Sequence, residues 1–107
     1  MNPGKLRHLV SIQHQAKSRN EYGEVVQSWS EFARAWAEIK PIKANELFAG
    51  GKIQDEATHR CVIRYIEGVL PGMKVRYMDR DFFIVSVRNF FERDEYLELI
   101  CKEEIYG

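Results

Sequence analysis

The sequence predicts a mainly β fold, a small barrel or sandwich of five to six antiparallel strands with one long loop. Three observations carry that expectation. Thr58 to Ile66 alternates cleanly, with His59, Cys61, Ile63 and Tyr65 on one face and Arg60, Val62 and Arg64 on the other. Phe82 to Val87 is a continuous run of β-forming residues. Turn signals recur every 8–12 residues or so, the spacing of small barrels and sandwiches.

Length and composition agree. A chain of 107 residues is expected to form one domain with one modest core. With 45% hydrophobic and 30% charged residues, a packed fold is favoured over intrinsic disorder. No apolar run reaches the roughly 18 residues of a membrane span, and Met1 to Lys5 has no signal-peptide character. A cytoplasmic site of synthesis is therefore expected.

The first strand comes from Leu6, His8, Val10 and Ile12, alternating with Arg7, Ser11 and Gln13. The polar run Gln15 to Glu24 reads as a hairpin loop, with Gly23 supplying the turn. Residues 25–40 fit two patterns. Trp29, Phe32, Ala33, Trp36 and Ala37 fall at helical spacing, and Ser28-x-x-Glu31 looks like a capping box. A strand would instead place Phe32 and Trp36 on one face and Ala33, Ala35, Ala37 and Ile39 on the other. Periodicity alone leans to the helix without settling the matter.

Pro41 ends that element. Ala44 to Ala49 is long enough for a turn or two of helix, and Gly50-Gly51 breaks it. Lys40, Lys43 and Lys52 against Glu46 make this long connection locally basic, and long connections in small domains tend to be functional or disordered. After the Thr58 strand, Gly68 to Gly72 with Pro71 forms a turn into Met73, Val75 and Tyr77. Met78 to Asp81 connects tightly into the Phe82 strand, with Phe83 and Tyr77 on the expected core face. Phe90 to Glu95 is a second polar turn. Tyr96 to Glu103 closes the fold with Leu97, Leu99 and Cys101 inward.

Charge and chemistry point away from catalysis. Formal net charge is zero, but residues 1–54 hold eight Lys/Arg against five Asp/Glu, and residues 55–107 hold eight against eleven. Opposite halves do not resemble the concentrated basic patch of a general nucleic-acid binder, and suit packing against copies or partners. Cys61 and Cys101 read as two buried free thiols, and with three scattered histidines they make no metal-ligand spacing. His59 and Cys61 share a strand face, but no loop exposes them, so core packing is the better account. No dinucleotide, phosphate-loop or metalloprotease motif is present. Single-strand binding by a small barrel needs aromatics among basic residues; Tyr65, Tyr77, Phe82, Phe83, Phe90 and Phe91 are candidates, but Asp79, Asp81, Glu92, Asp94 and Glu95 crowd the nearby loops.

With these residues in place, the chain resembles the tailed-phage head–tail joining proteins, also called head-completion, stopper or connector proteins. The matching pieces run in order along nearly the full length. They are Asn2 to His8, Tyr22-Gly23 followed by Trp29, Trp36-Ala37-x-Ile39-x-Pro41, and Glu46 before the loop. Then follow Thr58-His59-Arg60-x-x-Ile63-Arg64-Tyr65, Pro71-Gly72-Met73, Arg80-x-Phe82 with Ile84, and Leu97-x-Leu99-x-Cys101-x-Glu103. The resemblance implies a barrel-like fold with a short helix and long loop between the second and third strands, and so a strand at residues 29–40. It implies a non-enzymatic virion protein that needs no cofactor, assembled in the host cytoplasm. Its ring would lie below the portal and adaptor, join head to tail, and gate packaged double-stranded DNA. By position the channel loop is roughly Lys43 to Asp55. There Gly50 and Gly51 allow movement, Leu47 and Phe48 can plug, and Lys43 and Lys52, beside Glu46, can meet phosphates. Two rivals stay open, a tail-completion or terminator ring and a single-stranded nucleic-acid-binding barrel.

Overall fold

A computed structural model describes residues 3–42 and 57–104. Six strands form a closed antiparallel barrel, β1 (His8–Arg19), β2 (Val25–Pro41), β3 (His59–Arg64), β4 (Lys74–Tyr77), β5 (Arg80–Asn89) and β6 (Tyr96–Glu104). Around the wall the order is β1-β2-β3-β6-β5-β4, and β4 closes onto β1. Short 3-10 turns occupy Pro3–Lys5 and Phe90–Glu92. The expected short helix and the channel loop between β2 and β3 lie outside the described residues.

The core follows from period-2 alternation. Val10 and Ile12 from β1, Ala37 from β2, Cys61 and Ile63 from β3, Val75 from β4, Phe82 and Ile84 from β5, and Leu97, Leu99 and Cys101 from β6 fill the interior. The connection from β3 to β4 does not make a hairpin. It crosses the barrel end, and Val69 and Met73 turn inward to join the core. Gly72 donates its N–H to the Ile84 carbonyl at 2.9 Å from a left-handed conformation, φ +91°, which explains the glycine after Pro71.

Two expectations need correction, and at residues 25–40 the lean of the periodicity toward a helix gives way to the strand that the resemblance implies. Residues 25–41 are strand, not helix; Ala33, Ala35, Ala37 and Ile39 face the barrel, and Phe32 and Trp36 face out. Ser28 sits opposite Ala16 in the ladder and caps nothing. The small residues pack where the wall curves, and tertiary pairing with β1 and β3 overrides the helical spacing. Next, Gln15 to Arg19 is strand and not loop; only Asn20 to Glu24 turns, with Gly23 at φ +78°. Last, Phe82 and not Phe83 is the core aromatic, at 1% exposure; Phe83 is half-buried beneath Trp29, ring centroids 5.7 Å apart. β5 starts two residues earlier than expected, at Arg80, and Val85 is an extra residue between the Ile84↔Cys101 and Ser86↔Ile100 pairs.

The β1–β2 hairpin outruns the barrel. β4 pairs with β1 only at Ser11 to Gln13, and β3 pairs with β2 only from Ala37 onward. The ladder nevertheless continues from His14↔Ser30 to Arg19↔Val25 as a two-stranded arm, roughly 20 Å long at the usual strand rise.

Candidate functional site

The residues on either side of the expected channel loop form a compact clamp. Ile42 donates its N–H to the Thr58 carbonyl at 2.9 Å, and Thr58 donates its own to Cys101 at 2.9 Å. The Thr58 hydroxyl accepts from the Glu103 N–H at 2.7 Å and lies 2.9 Å from His59 Nδ1. The chain thus leaves the wall after β2 and re-enters at β3 at one point of the rim. A Thr there serves both strands with a single short side chain.

Beside that point, Arg80 grips Glu103 with two bonds, Nε to Oε2 at 2.7 Å and Nη2 to Oε1 at 3.1 Å. The fork-to-fork geometry is the strong form of this pairing. It holds the Glu103 carboxyl below its ordinary pKa and raises Arg80. Arg80 also lies over the Phe82 ring at 4.9 Å, and the His59 ring meets Phe82 edge-on at 5.0 Å. Burial lowers the His59 pKa; the Glu103 charge opposes this and the Arg80 charge adds to it.

The other predicted residues are placed as follows. Arg60 Nε lies 2.9 Å from Glu98 Oε2 but out of line for a hydrogen bond, so the contact is an ion pair. Arg64 lies over the Tyr96 ring at 5.9 Å, and Tyr65 donates its N–H to Glu95 at 2.9 Å. Pro41 is the last residue of β2, and Pro71-Gly72 makes the turn before β4. Trp36 is not core; it stands outward, 56% exposed, over a cleft of about 390 Å³ lined with Leu6, Arg34, Arg64 and Ile66. Lys43, Glu46, Leu47, Phe48, Gly50, Gly51 and Lys52 lie outside the described residues. The structure therefore brings Thr58 and His59 to the loop root and scatters Arg60, Arg64, Tyr65, Trp36, Pro71 and Gly72 along the wall and its far end.

Burial pushes the Cys61 thiol up to about 12 and raises Cys101 as well, so both stay protonated and act as small apolar side chains. Both are free and buried. Among the described residues no group of His, Cys, Asp and Glu could hold a metal ion. Three arginine–aromatic stacks gather at the opposite barrel end, Arg64 on Tyr96, Arg88 on Phe90 and Arg93 on Phe91, but Glu92, Asp94 and Glu95 interrupt their charge.

Sequence reasoning missed one buried network. Lys74, only 5% exposed, sets its ammonium 4.4 Å from the Trp29 ring centre and 3.8 Å from Asp81, while Arg76 reaches the other Asp81 oxygen at 3.8 Å. It fastens the arm to the β4–β5 hairpin. A lysine between Met73 and Val75 gives no signal of this, because its partners come from distant parts of the chain.

A closed six-strand barrel with a clamped rim, a projecting arm and inert buried thiols defines a structural module. The family model for the phage head completion protein matches residues 1–104, and the chain belongs to that family of phage structural proteins. It is similar to the head completion protein gp7 of Enterobacteria phage HK97, 35% identical over 65 residues, or 61% of this chain and 58% of that protein. The match thus spans less than two thirds of the relative's length. In fold it is similar to the solution structure of protein SF1141 from Shigella flexneri 2a, TM-score 0.79 and 22% identity over the full length of both chains. It is also similar to a chain in the virion of a native gene transfer agent particle, TM-score 0.65 and 18% identity over 94% of this chain and 96% of that one.

Proposed function

We propose that this protein is a non-enzymatic connector at the head–tail joint of a phage or prophage particle, assembled in the host cytoplasm. It forms a ring below the portal and adaptor, receives the tail, and presents a loop, roughly Lys43 to Asp55, to the DNA channel. Family membership supplies the setting, and the rim clamp is the observation that carries the reading. Ile42 and Thr58, which flank the loop, are bonded to each other, and Thr58 is bonded to Cys101 and Glu103, so β2, β3 and β6 are joined at one point of the rim independently of the residues between. In a ring, one Lys43 and one Lys52 per copy become a belt of positive charge toward passing DNA.

The test is recruitment. Size-exclusion chromatography with light scattering is run with and without the portal–adaptor complex of the same phage. Co-elution as a ring is expected. Binding to tail tubes instead would make it a tail-completion ring, and salt-dependent affinity for single-stranded DNA would make it a nucleic-acid-binding barrel. Gating has its own measurement. Replacing Gly50 and Gly51 by Pro should leave folding intact but impair DNA retention or release, and fully infectious particles would exclude a moving loop.

A further inference from the structure

The described surface carries two unlike patches that complement each other. At the arm tip, Tyr22 is 82% exposed, with Glu21 and Glu24 beside it. Neither glutamate has an ion-pair partner among the described residues. The tip is rigid: Asn20 Oδ1 accepts from the N–H groups of Tyr22 and Glu24 at 2.9 and 3.0 Å, Gly23 donates to the Asn20 carbonyl at 3.0 Å, and Arg19 bonds the Gly23 carbonyl at 2.9 Å. A bare tyrosine on a turn whose backbone is held by these bonds is an anchor that leaves chiefly its own side chain to be ordered on contact.

The second patch is the Trp36 cleft. Leu6, Trp36 and Ile66 give it an apolar floor, and its charged side chains are Arg34 and Arg64. Arg34 has Glu31 at 2.9 Å, whereas Arg64 has the Tyr96 ring and no carboxylate among the described residues. An aromatic ring with flanking carboxylates matches this apolar floor and basic rim in polarity and charge.

The tip cannot reach its own cleft. Arg34 and Val25 lie nine residues apart on the single strand β2, roughly 30 Å at the usual rise. The arm also points away from the barrel, beyond the last pairs with β3 and β4. We infer that the Glu21-Tyr22-Gly23-Glu24 tip of one copy seats in the Trp36 cleft of the next. Because tip and cleft are different patches, the contact is heterologous and its repetition closes a ring or runs on as a filament. This rests on the ring reading above and names the surfaces that build it.

Paramagnetic relaxation at millimolar concentration tests the contact. A nitroxide on Ser18→Cys, near the tip, is mixed with isotope-labelled chain, and the buried Cys61 and Cys101 escape the label. Selective broadening at Leu6, Trp36 and Ile66 is expected. Tyr22→Ser should abolish it, and circular dichroism should show both chains folded. Reversing the tip (Glu21→Lys with Glu24→Lys) or the cleft (Arg64→Glu) should weaken the contact about tenfold, and a chain carrying both reversals should regain it. Mixing Tyr22→Ser with Trp36→Ala chains leaves one good junction per pair, so one-to-one dimers and nothing larger should form. Broadening spread evenly over the surface, or no rescue by the double reversal, overturns the inference. Recruitment of such a chain to the portal complex would then leave the connector reading standing. A specific contact without recruitment would do the reverse.

Discussion

Within the barrel, Val10, Ile12 and Ala37 on β1 and β2 have at most 1% exposure. Farther along the same two strands, from His14↔Ser30 to Arg19↔Val25, no side chain is buried. The backbone ladder is continuous across both regions; the burial is not. Hydrogen bonds alone add little net stability, and an isolated two-stranded ribbon is marginal in water. The barrel therefore holds the arm through its root, where Trp29 packs on Phe83, Lys74 sits over Trp29, and Phe32 lies against Gly68. The barrel half is built for stability and the arm half for contact.

The sharpest way to break that contrast is to truncate core and arm aromatics in parallel. Phe82→Ala removes a ring at 1% exposure and should cost about 3–5 kcal/mol in chemical denaturation. Tyr22→Ala, at the arm tip, should stay within about 0.5 kcal/mol. Equal losses would mean that the arm is part of the cooperative core. Lys74→Ala should follow Phe82, toward the lower end of about 3–5 kcal/mol, because it leaves the Asp81 carboxylate buried and Arg76 compensates only in part. Lys74→Ala combined with Asp81→Ala should recover part of that loss, and no recovery would mean that the pair is not the cause.

The same contrast explains what could be read from the chain beforehand. Cys61 and Ile63 on β3 and Leu97, Leu99 and Cys101 on β6 recur at every second position because that face fills the barrel, and this burial writes itself into a period of two even with Val62 and Ile100 in between. The arm buries neither face, so Gln15 to Arg19 carries no such pattern and looks like a loop. On β2 the pattern is further confused by one extra residue. Ile12 opposes Ala33 and Gln13 opposes Glu31, leaving Phe32 between them. That slip, with alanines on the barrel face, imitates helical spacing. At the candidate site, the tight Thr58-His59 root was visible as a motif, but its partners Glu103 and Arg80 are brought there only by the β3–β6 and β5–β6 pairing. Lys74 against Trp29 had no sequence signal, since period-2 logic places a lysine outside.

Gly68 sharpens the comparison at the joint between the two regions. It adopts φ +94°, and a Cβ there would stand 2.9 Å from Phe32 Cζ. Gly68→Ala should cost about 1–2 kcal/mol, from the left-handed backbone together with displacement of the Phe32 ring. The displaced ring lies at the arm root, so amide exchange should speed up in residues 28–33 and stay unchanged in β6. Uniform acceleration would mean that the arm and barrel open together.

The smallest expected effect belongs to the rim. Burial against Phe82 holds the folded His59 pKa below that of the unfolded chain, with Glu103 opposing and Arg80 reinforcing. Between the two values the unfolded chain binds the extra proton, so stability rises with pH across that window. Stability should therefore fall as pH drops from about 7 through the ordinary histidine value of about 6.5, and level off below the folded value. Glu103, lowered by Arg80, acts in a separate window. Its contribution is present above the ordinary glutamate value of about 4.3 and is lost as pH falls below it. A melting series from about pH 7.5 down to about pH 3 on the native chain and on His59→Gln separates the two. The variant should lose the upper step and keep the lower one. A variant that keeps both steps would mean that the upper step does not come from His59.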